Sequence, residues 1–248
     1  MLLMRKSTPE HSSAGSSFVS RRAALAFATR ALTIAPSMWA LGAKCAHANE
    51  DLRVALVIGN AAYAGAPLVN SVNDARDMAK ALREMGFAVV ELQNGTKPQM
   101  SAAIAETCRA LRGGAVGLLY FAGHGLQLDW RNYLLPVDAA PTTSAEVPRD
   151  AVDVQSVIDG FREAGTRVNI IVLDACRDNP FGDTGVAKGL APLDAPPGTF
   201  LAYATAPGNV AEDGATSQGN GLYTGFLIKE IRKPQARIEE VFKRVRFQ

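Results

Sequence analysis

Short apolar runs alternate with amphipathic stretches along most of the chain. Buried β-strands are predicted for five apolar runs: Arg53–Asn60, Phe87–Leu92, Ala115–Gly125, Arg167–Cys176 and Thr199–Thr205. Apolar residues at helical spacing predict helices at Asn73–Gly86, Thr96–Arg112, Val154–Ala164, Leu222–Arg232 and Gln235–Arg246. A shorter extended piece at Asn132–Ala139 is typical of an edge strand. This alternation predicts an α/β fold with a mainly parallel sheet, helices on both faces and no second domain.

Ligands of such a sheet bind beyond the carboxyl ends of its strands, and three of these ends carry unusual residues. Gly123-His124-Gly125 follows the third strand, Asp174-Ala175-Cys176-Arg177 ends the fourth, and Ala206-Pro207-Gly208 follows the fifth. We therefore expect these three segments to meet at one edge of the sheet.

Residues 1–48 differ in pattern from the rest of the chain. They begin polar and Ser-rich, Arg21-Arg22 precedes a mostly apolar stretch, and Ala46-His47-Ala48 is a small-x-small end. This layout is typical of a secretory signal peptide cleaved after residue 48, and the paired arginines resemble a twin-arginine export signal. We therefore expect an exported protein, periplasmic or secreted, whose mature part has no integral membrane span. The alternative is an uncleaved membrane anchor, which Arg30 within the stretch disfavours.

Removal of this segment changes the charge of the chain. Of the 26 Lys and Arg and the 24 Asp and Glu, the segment holds six bases and one acid, which leaves 20 bases, 23 acids and a net charge of −3. The basic balance therefore belongs to the leader and does not indicate a nucleic-acid partner. The mature part keeps Cys108 and Cys176. Because Cys108 lies on the apolar stripe of a helix, we expect a core thiol rather than a disulfide with Cys176.

His124 is the only histidine after residue 48, and the predicted fold places it at the same sheet edge as Cys176. A cysteine is an effective nucleophile as its thiolate, and a nearby imidazole can take its proton or stabilise the anion. Gly125 lets the backbone approach a bound carbonyl, and its N–H together with that of Cys176 would stabilise an oxyanion. On position alone, the alternative is an inert core cysteine beside a loop histidine.

The order of several segments resembles that of caspase-like cysteine peptidases, the clan of caspases, metacaspases and their bacterial relatives. These segments are ALVIGNAAY, NSVNDARDMAKALREMGF, YFAGHG, NYLLPVD and YATAPGNVAEDG. The candidate nucleophile lies in DACRD, 52 residues after His124, and the caspase signature has its histidine about 50 residues upstream. The resemblance covers about Arg53 to Arg246. It implies a caspase-like three-layer sandwich over residues 49–248 and a cysteine endopeptidase with a His124/Cys176 dyad.

Asp174 departs from the caspase pattern, which has glutamine two residues before the cysteine. Metacaspase-like members carry an acid there, cleave after Arg or Lys, and have a second pocket acid that Asp74 matches. Two carboxylates would pair with a basic side chain and repel an acidic one, so the resemblance implies a peptide or protein substrate with a basic residue before the cut. Ala122 stands where metacaspases often have serine, which removes one polar contact. The alternative for Asp74 is an acid placed by the helix dipole.

Further expectations concern the segment 177–198 and the end of the chain. The Gly, Pro and Asp content of residues 177–198 is typical of an exposed, flexible connection. Within this segment, Lys188 is either a self-cleavage site or a solvated lysine. No Asp-rich stretch has calcium-ligand spacing, so we expect no metal and no other cofactor, although some metacaspases need calcium. The last helix ends in mid-pattern where family members usually continue, which marks either a true end or a truncated product.

Three functions compete on these residues. The first is the cysteine endopeptidase. The second is a non-catalytic caspase-fold module that binds partners, and the presence of both His124 and Cys176 beside an acidic pocket argues against it. The third is a doubly wound domain for a phosphorylated ligand, but GNAAYAG after the first strand is not a glycine-rich phosphate loop.

Overall fold

The strands form where the apolar runs predict them. The computed structural model describes residues 52–176, 190–204, 219–235 and 237–247. Its strands are β1 (Arg53–Gly59), β2 (Ala88–Gln93), β3 (Val116–Leu128), β4 (Arg131–Leu134), β5 (Val152–Asp153), β6 (Val168–Cys176) and β7 (Thr199–Tyr203). Its helices are α1 (Ser71–Glu84), α2 (Lys97–Ala110), α3 (Val147–Asp150), α4 (Val154–Glu163), α5 (Leu222–Ile231) and α6 (Ile238–Arg246), with a 3-10 turn at Ser144–Glu146. The predicted export signal and Lys188 lie outside the described residues.

Five strands run parallel in the order β2-β1-β3-β6-β7. The central strand β3 has 13 residues and takes part in both parallel and antiparallel pairing. Its first nine residues pair with β6, and its last four pair antiparallel with β4, with Gly125 opposite Leu134. β5 extends the antiparallel arm beside β4.

This hairpin differs from the prediction. The third strand was expected to end at Gly125 and the following extended piece to reach Ala139, whereas β3 continues to Leu128 and β4 ends at Leu134. The connecting turn consists of Asp129 and Trp130, both with positive φ, at 49° and 63°. Two such residues suit a tight hairpin turn, but the usual Asn-Gly or Asp-Gly signal is absent from the sequence.

Side chains alternate between the two faces of the central strands, so each face of the sheet has its own core. On one face, Leu56 and Ile58 pack with α2 and α4. On the other face, Ala55 and Val57 pack with α1, α5 and α6. Helices therefore cover both faces, and the predicted three-layer α/β arrangement is confirmed.

Helix α1 crosses unusually close to the end of β1. A Cβ atom at Gly59, the last residue of β1, would lie 2.4 Å from the carbonyl oxygen of Ser71 and 2.5 Å from Cβ of Ala75. Glycine is therefore required sterically, although its backbone has no positive φ.

A buried acid joins the last two helices. Glu230 of α5 is only 4% exposed, and it forms ion pairs with Lys233 at 2.5 Å and with Arg244 of α6 at 2.8 Å. The hydrogen bond from Lys233, together with the positive charges of Lys233 and Arg244, lowers the pKa of Glu230 below its ordinary value. The negative charge on Glu230 therefore stabilises the α5–α6 contact.

Two details of the sequence analysis can be compared with the structure. Cys108 is a half-buried free thiol packed against the core beneath α2 and α4, and its burial raises its pKa. The segment 177–198 was expected to be exposed throughout, but Leu190 and Ala191 are buried. The backbone of Ala191 exchanges hydrogen bonds of 2.7 and 2.9 Å with the buried side chain of Asn132, which attaches this part of the segment to β4.

Within the described ranges, no helix is both long enough and apolar enough to cross a bilayer.

Candidate functional site

The carboxyl ends of β3 and β6 lie side by side. His124 of β3 and Cys176 of β6 are register partners, although 52 residues separate them along the chain. Partners in register on neighbouring strands occupy the same face of a sheet. The structure describes the backbone of Cys176 and not its side chain. The sheet thus places the two predicted dyad residues at adjacent positions.

The imidazole of His124 is buried and oriented by the loop between β1 and α1, residues 60–70. The side chain is 4% exposed, and its Nε2 lies 2.7 Å from the carbonyl oxygen of Ala66. A carbonyl oxygen can only accept, so Nε2 carries the proton. In the neutral ring, Nδ1 is then the basic nitrogen.

Tyr63, in the same loop, contacts His124 twice. Its hydroxyl accepts the backbone N–H of His124 at 3.0 Å, and the two ring centroids lie 4.5 Å apart at an interplanar angle of 52°. Sequence analysis missed this residue. Its only signal is that it is the single aromatic side chain in a loop of mostly small residues, AAYAGAP.

Gly125 lies in a crowded position beside the two register partners. A Cβ atom there would lie 3.1 Å from Cδ2 of Leu190 and 3.2 Å from Cβ of Ala175. The carbonyl of His124 points towards β4, where it accepts the N–H of Leu135 at 3.0 Å. Because backbone groups alternate in direction along a strand, the N–H of Gly125 lies on the side of β3 that faces β6.

Asp174 lies two residues before Cys176, in register with Ala122 of β3. Its Oδ2 accepts a hydrogen bond of 2.6 Å from the hydroxyl of Thr224 in α5, and the hydroxyl of Tyr120 lies 3.4 Å from the same oxygen. The Tyr120 and Thr224 hydroxyls also contact each other at 2.5 Å. Two buried hydroxyls therefore contact this carboxylate, whereas its register partner Ala122 has no polar side chain to offer.

Asp74 lies close to the same group. It is 4% exposed in the first turn of α1, and its Oδ1 accepts the N–H of Gly221 at 2.8 Å. Burial and then the negative charges of Asp174 and Asp74 raise the pKa of Tyr120 well above its ordinary value. Burial and then Asp174 raise the pKa of Tyr223 in the same way. Both predicted pocket acids therefore bond residues at the start of α5, Asp74 through Gly221 and Asp174 through Thr224.

Thr224 and Tyr120 were not predicted as site residues. Tyr120 reads as one more apolar residue of a buried strand, and Thr224 belongs to a helix that is distant in the sequence. Neither residue has a local motif, since the contact depends on how α5 packs on the sheet.

Among the described residues, no group of three or more His, Cys, Asp or Glu side chains lies close enough together to hold a metal ion. Calcium dependence is therefore tested by peptide cleavage with and without calcium.

Comparison with known proteins agrees with this architecture. The family model of the caspase domain matches residues 52–248. Two curated relatives are the mucosa-associated lymphoid tissue lymphoma translocation protein 1 of Homo sapiens and its Mus musculus homologue, each 32% identical over 195 residues. That alignment covers 76% of this chain and 23% of each relative, so the chain spans about a quarter of their length.

A solved structure supports the fold. The crystal structure of the Drosophila initiator caspase Dronc superimposes with a TM-score of 0.54 at 12% sequence identity, covering 79% of this chain and 71% of that one.

Proposed function

Since this chain belongs to the caspase-domain family, a family of cysteine peptidases, we propose that it is an endopeptidase with Cys176 as nucleophile and His124 as base. The observation that carries this proposal is the register between the two residues, at the point where the pairing of β3 with β6 ends. A nucleophile and its base must lie within hydrogen-bond reach, and adjacent register positions are compatible with that requirement.

The proposed reaction has two stages. Nδ1 of His124 takes the thiol proton, and the thiolate of Cys176 attacks the substrate carbonyl carbon to form a C–S bond. The imidazolium then gives its proton to the amide nitrogen as the C–N bond breaks, and an amine leaves. In the second stage His124 takes a proton from water and the hydroxide attacks the thioester. The C–S bond then breaks as the imidazolium returns its proton to the sulfur, which restores the thiol and the neutral histidine and releases a carboxylic acid.

The negative charge that develops on the carbonyl oxygen needs donors in place beforehand. The N–H of Gly125 is a candidate because it lies on the β6 side of β3, and the N–H of Cys176 is the natural second donor. The close packing around Gly125 supports this assignment, since a side chain there would narrow the space beside the nucleophile.

We infer that the substrate carries Arg or Lys before the cut. The supporting observation is that both carboxylates bond the start of α5: Asp74 accepts the N–H of Gly221 at 2.8 Å, and Asp174 accepts the hydroxyl of Thr224 at 2.6 Å. A guanidinium or ammonium would be attracted there, and an acidic side chain repelled.

The first experiment uses the full chain and fluorogenic peptides that end in Arg, Lys or Asp, with and without calcium. We expect cleavage after Arg or Lys, complete loss in Cys176→Ala, and unchanged activity in Cys108→Ala, which removes the thiol packed against the core. Cleavage after Asp would keep the nucleophile and refute the acidic pocket. A folded but inactive chain would favour the non-catalytic caspase-fold module.

Two further proposals concern processing. Export with removal of residues 1–48 rests on the arginine pair, the apolar stretch and the small-x-small end. Self-cleavage after Lys188 rests on the basic preference proposed above. Intact mass of the cellular and exported protein tests both: a boundary after residue 48 supports the first, and a boundary after Lys188 that is absent in Cys176→Ala supports the second. An active enzyme without that boundary refutes self-cleavage.

A further inference from the structure

The hydroxyl of Tyr63 occupies the place of a backbone hydrogen bond between β3 and the chain that follows β4. Leu135 donates its N–H to the carbonyl of His124 at 3.0 Å. In a regular antiparallel ladder, the matching bond would run from the N–H of His124 to the carbonyl of Leu135. Here the Tyr63 hydroxyl stands between these groups, since it accepts from His124 at 3.0 Å and donates to Leu135 at 2.9 Å.

The surroundings of this hydroxyl leave it little freedom. Tyr63 is 6% exposed, and the carbonyl of Leu135 also accepts the side-chain amide of Asn60 at 3.0 Å. A Cβ atom at Gly123 would lie 2.7 Å from the Tyr63 hydroxyl oxygen. The glycine before His124 therefore makes room for the tyrosine to reach the histidine backbone.

The loop that carries Tyr63 is itself fixed to the end of β2. Oδ1 of Asn94 accepts the backbone N–H groups of Ala61 and Ala62 at 2.9 and 3.0 Å. Oδ1 of Asn60 accepts the N–H of Gly95 at 2.8 Å. Tyr63 is thus held on a rigid support rather than on a freely moving loop.

We propose that Tyr63 is a positioning residue for His124: its hydroxyl fixes the histidine backbone and its ring fixes the imidazole plane. The inference rests on the proposed peptidase function, in which His124 serves Cys176 as base. Together with the Ala66 carbonyl on Nε2, one loop then sets the backbone, the ring plane and the protonated nitrogen of the base. Small displacements of a catalytic group lower the rate strongly, because the reaction needs the reacting atoms aligned.

The test compares Tyr63→Phe with Tyr133→Phe in the full chain. The first variant keeps the ring and removes the bridging hydroxyl. The second removes a hydroxyl from another buried tyrosine of the same cluster. On the peptide with a basic residue before the cut, we expect Tyr63→Phe to lower kcat about tenfold with KM within about twofold, because transition-state alignment is lost and substrate binding is not. We expect Tyr133→Phe to change neither constant by more than about twofold.

A second measurement guards against a folding defect. Nitrogen NMR of the imidazole, with the His124 signals identified by their loss in His124→Asn, reports the placement of the ring without any substrate. We expect Tyr63→Phe to shift the His124 signals and Tyr133→Phe to leave them unchanged.

The outcomes separate this inference from the proposed function. A wild-type chain that cleaves no peptide refutes the peptidase proposal, and the NMR shift then still decides whether Tyr63 positions His124. In an active enzyme, a Tyr63→Phe variant with wild-type kcat and wild-type pH profile overturns the positioning role. Unchanged His124 signals in Tyr63→Phe overturn it as well, whatever the activity.

Discussion

Thr224 offers a direct test of how the acidic pocket is held. Thr224→Val keeps nearly the same shape and removes the hydroxyl that donates to Asp174 at 2.6 Å. Thr224 is fully buried, and its hydroxyl and that of Tyr120 both contact this carboxylate. A hydrogen bond to a charged group contributes roughly 1.5–3 kcal/mol. For a domain of this size, that loss lowers the unfolding temperature by roughly 3–12 °C.

The same substitution should affect specificity. Without Thr224, the hydroxyl of Tyr120 still lies 3.4 Å from that oxygen of Asp174, a weaker contact than the one that is lost. We expect the carboxylate to lose its fixed orientation and kcat/KM for the Arg peptide to fall about tenfold, equivalent to about 1.4 kcal/mol of transition-state stabilisation.

The assay pairs thermal unfolding with peptide kinetics, and Thr224→Ser is the matched control. Serine keeps the hydroxyl and removes only a methyl group, so its kcat/KM should remain within about twofold of wild type. The reasoning is refuted if Thr224→Val unfolds at the wild-type temperature and cleaves the Arg peptide equally well.

Two further predictions concern stability. Gly59→Ala should lower the free energy of unfolding by about 3 kcal/mol in denaturant titration, because the new methyl group meets the backbone of α1. Gly65→Ala is the control, since the space around its Cβ is open. An equal loss of stability in both variants would contradict the steric argument. Because the folded-state pKa of Glu230 lies below its ordinary value, its charge stabilises the fold above that value, and this contribution is lost as the pH falls through the folded-state pKa. Melting temperatures between about pH 6 and about pH 3 should therefore fall less steeply in Glu230→Gln than in wild type, and equal slopes in the two proteins would contradict this reasoning.

The main elements could be predicted because their signals are local. The run Arg167–Cys176 predicts a buried strand by composition alone, and the structure has β6 at Val168–Cys176. The helix predicted from Thr96 begins with the expected cap, in which Thr96 and Gln99 bond each other's backbone. The third strand and the extended piece after it were predicted with the wrong bounds, and the hairpin was missed, because the turn Asp129-Trp130 has no glycine at its second position.

The residues of the candidate site likewise fall into those that the sequence predicts and those that it does not. His124 and Cys176 could be proposed from the sequence because each ends an apolar run, and the fold rule places such ends at one edge. Tyr63 and Thr224 could not, because their roles depend on contacts across 61 and 50 residues of chain that no local pattern records. Positions along strands follow from periodicity, whereas the groups that hold them in place follow from tertiary packing.

The central position of the long strand β3 also affects the order in which the sheet around it can form during synthesis. The loop that carries Tyr63 and the hairpin to β4 both precede β6 in the sequence, so the supports of His124 are synthesised first. Until β6 has been made, the amides of β3 on that side have no neighbouring strand, and an open central edge of this kind readily joins another chain. When β6 pairs there, it covers the unpaired backbone groups of β3 and brings Cys176 beside His124. Pairing with β6 therefore protects this edge and brings the two predicted dyad residues together in one step, and β7 then covers the outer edge of β6.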